Sequence, residues 1–84
     1  MVYVTTDDGV TPIRLATNKA LRPIKVKNRP FAVAITPDGR TAYVAATALR
    51  YGVPGTVTPI QVATNTALKP ITVGRAPDAI AVSP

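Results

Sequence analysis

Residues 10–37, VTPIRLATNKALRPIKVKNRPFAVAITP, return without a gap as residues 57–84, VTPIQVATNTALKPITVGRAPDAIAVSP, with 16 of 28 positions identical. A repeat of this length constrains the fold before any single residue does. It implies one supersecondary unit that buries its apolar faces against copies of itself. The chain has only 84 residues, and a domain of that size removes roughly 60–65% of its unfolded surface from water, so a lone core is marginal. It contains no Cys and no His, which excludes disulfide staples and the usual structural zinc sites. Association with further copies is the remaining source of stability.

The segments between turns predict strands rather than helices. Nine prolines and five glycines interrupt the chain every few residues, and the stretches between them are rich in Val, Ile, Thr and Tyr. No window sustains apolar residues at helical spacing long enough to outweigh that punctuation. Pro37-Asp38-Gly39-Arg40 is a tight-turn signal joining strands at 31–36 and 41–46, because Asp-Gly tolerates the positive φ that hairpins need. Within 31–36, Ala32, Ala34 and Thr36 alternate with Phe31, Val33 and Ile35, giving a small and a large face that suit a crowded position. Further strands fall at 10–15 and 56–62, each followed by Ala-Thr-Asn (16–18 and 63–65), where Asn can close a turn through its own backbone. Strands at 21–26 and 68–73 contain Pro23 and Pro70, which cannot donate to a ladder, so these should lie at a sheet edge. The unit is a four-stranded antiparallel meander of about 40 residues, the size of a β-propeller blade.

Three segments carry a family resemblance: TPDGRTAYVA (36–45), GTVTPIQVATNTALKPITVG (55–74) and RPFAVAITPDG (29–39). Together they make the chain resemble, over essentially its whole length, the YVTN-type β-propeller repeats of archaeal surface-layer proteins and of bacterial seven-bladed and lactonase-like propellers. The segment that names that family reads Tyr3-Val4-Thr5-Thr6 and Tyr43-Val44-Ala45-Ala46 here, so its Asn is missing and no role of that Asn carries over. The resemblance implies an all-β chain holding two four-stranded antiparallel blades' worth of strands. Lettered a to d from the channel outward, they run b (about 1–6), c (10–15), d (21–26), a (31–36), b (41–46), c (56–62), d (68–73), a (78–83). Residues 1–84 form one propeller segment with repeat units 1–40 and 41–84.

The register places both ends of the chain inside the same a–b turn. Tyr3 aligns with Tyr43 at an offset of 40, and Pro84 with Pro37 at an offset of 47. Strand 1–6 then lacks an inner partner and strand 78–83 an outer one, and exposed edges invite pairing with another chain. Pairing 78–83 of one copy with 1–6 of the next makes a circularly permuted propeller completed by other copies. The contact is head-to-tail and closes into a ring, with three or four copies favoured. The alternative is an inactive fragment of a larger, lactonase-like propeller, because two-blade units cannot build the seven blades the family suggests.

Net charge is +6, from ten Lys or Arg against four Asp. Such a balance accompanies nucleic-acid binding but also simply keeps β-rich proteins in solution. Lys25 and Lys27 alternate with Ile24 and Val26, and with Arg22 and Arg29 they form the strongest charge feature. Edge protection explains it; a phosphate-binding stripe is the functional alternative. The second copy has Thr72 and Gly74 where the first has Lys25 and Lys27, so the stripe is not required by the fold. Asp78 stands where the first copy has Phe31 and is a candidate for a channel mouth. The connection after 41–46 exceeds its counterpart by seven residues and carries Leu49, Arg50 and Tyr51, residue types suited to a contact surface. Ser83 is the only serine, and without His or Cys no serine triad, imidazole base or thiol nucleophile can be assembled. The expectation is a non-catalytic scaffold without a cofactor. No apolar stretch reaches the roughly 20 residues of a membrane span. MVYVTTDDG does not read as a signal peptide, while the resemblance allows an exported or cell-surface parent.

Overall fold

The computed structural model describes residues 1–7, 9–48, 52–74 and 80. Among them are strands and turns but no helix, hence none long and apolar enough to cross a membrane. All strand pairing is antiparallel. The chain is therefore all-β, as its Val, Ile, Thr and Tyr content and its spacing of turn residues predict.

Two sheets form. In the first, β1 (Val2–Thr6), β2 (Gly9–Arg14) and β3 (Lys19–Ala20) lie in that order. In the second, β4 (Arg29–Ile35), β5 (Thr41–Thr47), β6 (Thr56–Gln61) and β7 (Thr66–Ala67) follow in sequence, and β8 (Ile71–Thr72) also pairs with β6. The sequence repeat is a repeat of register. Tyr3 stands opposite Pro12 and Thr5 opposite Val10, while Tyr43 stands opposite Pro59 and Ala45 opposite Val57. The seven additional residues of the second copy fall between β5 and β6, where they change the connection and leave the ladder intact. The expected strand at 78–83 lies outside the described residues except for Ile80.

The expected continuous strands at 21–26 and 68–73 are corrected. Pairing begins earlier, at Lys19 and Thr66, and is then interrupted. Two prolines cooperate in this. The amides of Leu21 and Leu68 donate to the carbonyls of Pro12 and Pro59, both at 2.8 Å. Those prolines have no N–H to return, and Pro23 and Pro70 lack one on the outer segment. Pairing resumes beyond them at Val10↔Ile24 and Val57↔Ile71. From Ile13↔Ala20 to Val10↔Ile24 the inner strand advances three residues and the outer segment four; the second sheet does the same from Ile60↔Ala67 to Val57↔Ile71. Both copies thus carry the same one-residue bulge, which bends the outer segment across the inner strand.

The turns follow local chemistry. Gly39 has φ 72°, and the hairpin at 36–41 is closed by Thr36 N–H to the Thr41 carbonyl at 2.9 Å and by Gly39 N–H to the Thr36 carbonyl at 2.8 Å. Asp38 accepts from the Thr36 hydroxyl at 2.6 Å and from the Arg40 amide at 3.0 Å. Those two donors hold its carboxyl below the usual carboxylate range, the hydroxyl contributing most. Asn18 and Asn65, equivalent positions, adopt φ 53° and 51°, a left-handed conformation that Asn accepts at low cost. Gly9 is required twice over. Its φ is 132°, and a Cβ there would run into the main-chain oxygen of Ile24 on the outer segment.

The sheets stack face to face. Tyr3, Val10 and Ile24 of the first meet Ala42, Val44 and Ile60 of the second, with Val33 and Val62 among the residues packed around them. Alternation selects these side chains, since residues two apart on a strand share a face. On β4, Val33 and Ile35 lie opposite Val44 and Ala42, whereas Ala32 and Ala34 lie opposite Ala45 and Tyr43. The expected alternation of large and small faces is therefore present from Ala32 to Ile35, while Phe31 falls in a register shift between Pro30 and Ala32 and Thr36 lies beyond the strand.

Candidate functional site

The residues singled out for charge do not converge on one site. Lys25 and Lys27 are exposed on either side of half-buried Val26. They belong to an irregular stretch after Ile24, where the described pairing is the single bridge at Ile24, rather than to an outer strand. Arg29 begins β4, its Nη2 donating to Asp7 Oδ1 at 3.1 Å in an exposed ion pair. Arg22 is exposed as well. Leu49, Arg50, Tyr51 and Asp78 lie outside the described residues. Among the described residues no three acidic side chains come together as they would around a metal ion.

Polar contacts between the sheets were not anticipated from the sequence. The Tyr3 hydroxyl, on the first sheet, donates to Asn65 Oδ1, on the turn leaving β6, at 2.8 Å. Burial against the second sheet raises the phenol pKa above its ordinary value. The neutral, donating form is thus the one the fold holds. The turn role expected of Asn belongs to its backbone: left-handed φ closes the loop, which frees the carboxamide to face a neighbouring sheet. A signal was present, because Tyr3 and Tyr43 align across the repeat, as do Asn18 and Asn65. At the other end of β6, the connection between the sheets is tied to it: Asn28 Nδ2 donates to Thr56 Oγ1 at 3.2 Å, and that hydroxyl donates to the Lys27 carbonyl at 3.3 Å. Thr56 is the counterpart of Gly9, so this second link is specific to one copy.

The most informative surface is the one the repeat leaves uncovered. Each sheet has two faces, and the core uses one face of each. Repeat equivalence then shows what a matching partner face would bury. Val2 and Val4 are the counterparts of Ala42 and Val44, yet they are 41% and 42% exposed where Ala42 and Val44 are 0%. Ile71 is the counterpart of Ile24 and is 51% exposed where Ile24 is 9%. Leu15, exposed, is the counterpart of Val62, which packs on the core. Large apolar side chains scattered singly on a surface need no explanation. Here they occupy core positions of the repeat: Val2, Val4 and Leu15 along the first sheet and Ile71 on the second, at opposite ends of the stack. The first sheet presents the kind of face that the second buries, and the second sheet presents the kind of face that the first buries.

Such an arrangement can bind, by burial of apolar area and by hydrogen bonds across the sheets. No family model matches the chain, and no curated protein matches it.

Proposed function

We propose that this chain is a non-catalytic β-propeller repeat module, resembling the YVTN type, that works as a structural and protein-interaction scaffold by assembling with copies of itself into a closed ring. The observation that carries this reading is the exposure of Val2, Val4 and Ile71 at positions whose repeat counterparts form the core. On this reading β1, β2 and β3 are the b, c and d strands of one blade, and β4, β5 and β6 are a, b and c of the next, with β7 and β8 together as its bulged d strand. Because the two open faces differ, the contact between copies is head-to-tail, and a head-to-tail contact that closes gives a ring. Pairing of the 78–83 segment with β1 of the next copy completes the first blade, and three or four copies give six or eight blades, within the range of roughly four to eight.

Size-exclusion chromatography with light scattering tests this. A folded species of three or four chains supports it, and a folded species of one chain overturns it.

A further inference from the structure

The proposed assembly says that copies meet; the repeat also says which atoms join them. Within the chain, the Tyr3 hydroxyl of the first sheet bonds Asn65 Oδ1 of the second at 2.8 Å. Applying the repeat to each partner yields a second pair, Tyr43 on the second sheet and Asn18 on the first. These two cannot serve each other within one chain, because each stands on the face or turn turned away from the other sheet. Among the described residues neither the Tyr43 hydroxyl nor the Asn18 carboxamide makes a side-chain hydrogen bond. Asn18 nevertheless holds the same left-handed conformation as Asn65, φ 53° against 51°, so its turn is already shaped as the acceptor turn is. Tyr43 stands opposite Pro59 as Tyr3 stands opposite Pro12, so the donor strand has the same register as well.

Resting on the self-assembly reading above, we infer that the Tyr43 hydroxyl of one copy donates to Asn18 Oδ1 of the next. The bond locks the exposed face around Ile71 onto the exposed face around Val2 and Val4. The occupant of each open face is a second copy of this chain, since the chain already contains one such interface between its own halves. The surfaces are complementary rather than alike: Tyr43, Val57 and Ile71 on one side, Val2, Val4 and Ile13 on the other. One hydrogen bond per junction sets the register between copies, as the Tyr3–Asn65 bond does between sheets. The junction contains no ion pair, so it tolerates salt better than one built on the chain's exposed lysines.

The test uses the full chain with substitutions at exposed or half-buried positions, and far-UV circular dichroism verifies that each variant is folded. V4R blocks one face and I71R the other; alone, each is expected to be monomeric at concentrations where the wild-type chain is assembled. Mixed in equal amounts, they retain one intact pair of faces between them, and native mass spectrometry is expected to find a 1:1 heterodimer that grows no further. Tyr43→Phe and Asn18→Gly, the latter keeping the left-handed backbone free of strain, are each expected to weaken association about fivefold. The double variant should be no weaker than either single one, because both remove the same bond. Asn18→Asp, which keeps an acceptor, should bind more tightly than Asn18→Gly. A monomeric wild-type chain overturns the assembly reading and this inference with it. An assembled wild-type chain whose blocked variants do not form the heterodimer, or whose Tyr43 and Asn18 substitutions act additively, overturns this inference alone.

Discussion

Two threonines on one face of β6 should respond to the same substitution with opposite signs. Thr56 and Thr58 are both 2% exposed. The Thr56 hydroxyl accepts from Asn28 and donates to the Lys27 carbonyl, whereas Thr58 Oγ1 has no hydrogen-bond partner among the described residues. A buried hydroxyl without a partner costs about 1–3 kcal/mol, and valine fills nearly the same volume with a methyl in its place. Thr58→Val should therefore stabilise the fold by about 1–2 kcal/mol. For a domain of this length each kcal/mol moves Tm by roughly 4–8 °C. Thr56→Val removes one side of two bonds to the segment before β4 and strands the Asn28 amide and the Lys27 carbonyl, so it should destabilise by about 1–2 kcal/mol. Thermal and urea melts followed by far-UV circular dichroism, at one fixed protein concentration because association shifts apparent stability, give both differences. Two shifts of the same sign would refute the assignment of these hydroxyls.

Three further outcomes are expected. Gly9→Ala should cost about 2 kcal/mol or more in the same melts, because alanine must enter a glycine conformation and displace the main chain at Ile24. Alkaline titration should weaken the fold through Tyr3: its folded pKa lies above the ordinary 10.0, so its contribution is complete below about pH 10 and is lost as pH rises through the raised value, and Tyr3→Phe should flatten that part of the stability–pH curve. Asp7→Ala and Arg29→Ala should each change stability by less than about 0.5 kcal/mol, because both partners are well exposed and solvent screens the pair.

What the sequence makes legible is whatever depends on neighbours along the chain. Pro37-Asp38-Gly39 specifies its hairpin, the alternation from Ala32 to Ile35 specifies two faces of different bulk, and the repeat specifies that both sheets share a register. The broken outer strands were harder to foresee, because the defect belongs to two strands at once. Pro23 and Pro70 mark an edge, but the interruption also needs the missing amides of Pro12 and Pro59 across the ladder. The cross-sheet contacts are a step further removed. Asn65 reads locally as a turn residue, and only stacking of the sheets reveals that its carboxamide receives Tyr3. The ion pair is equally hidden from a local reading, since Arg29 and Asp7 are far apart in sequence and paired in space. The exposed faces are legible once repeat and structure are laid side by side: Val4 and Val44 are the same residue type at the same position, one open and one buried.

Native mass spectrometry of the wild-type chain tests the central claim most directly. The account predicts a single dominant assembly at three or four times the chain mass of 8.8 kDa, with no ladder of larger multiples because the ring closes. A folded chain observed only at 8.8 kDa, with Val2, Val4 and Ile71 exposed and no copy upon them, would contradict it.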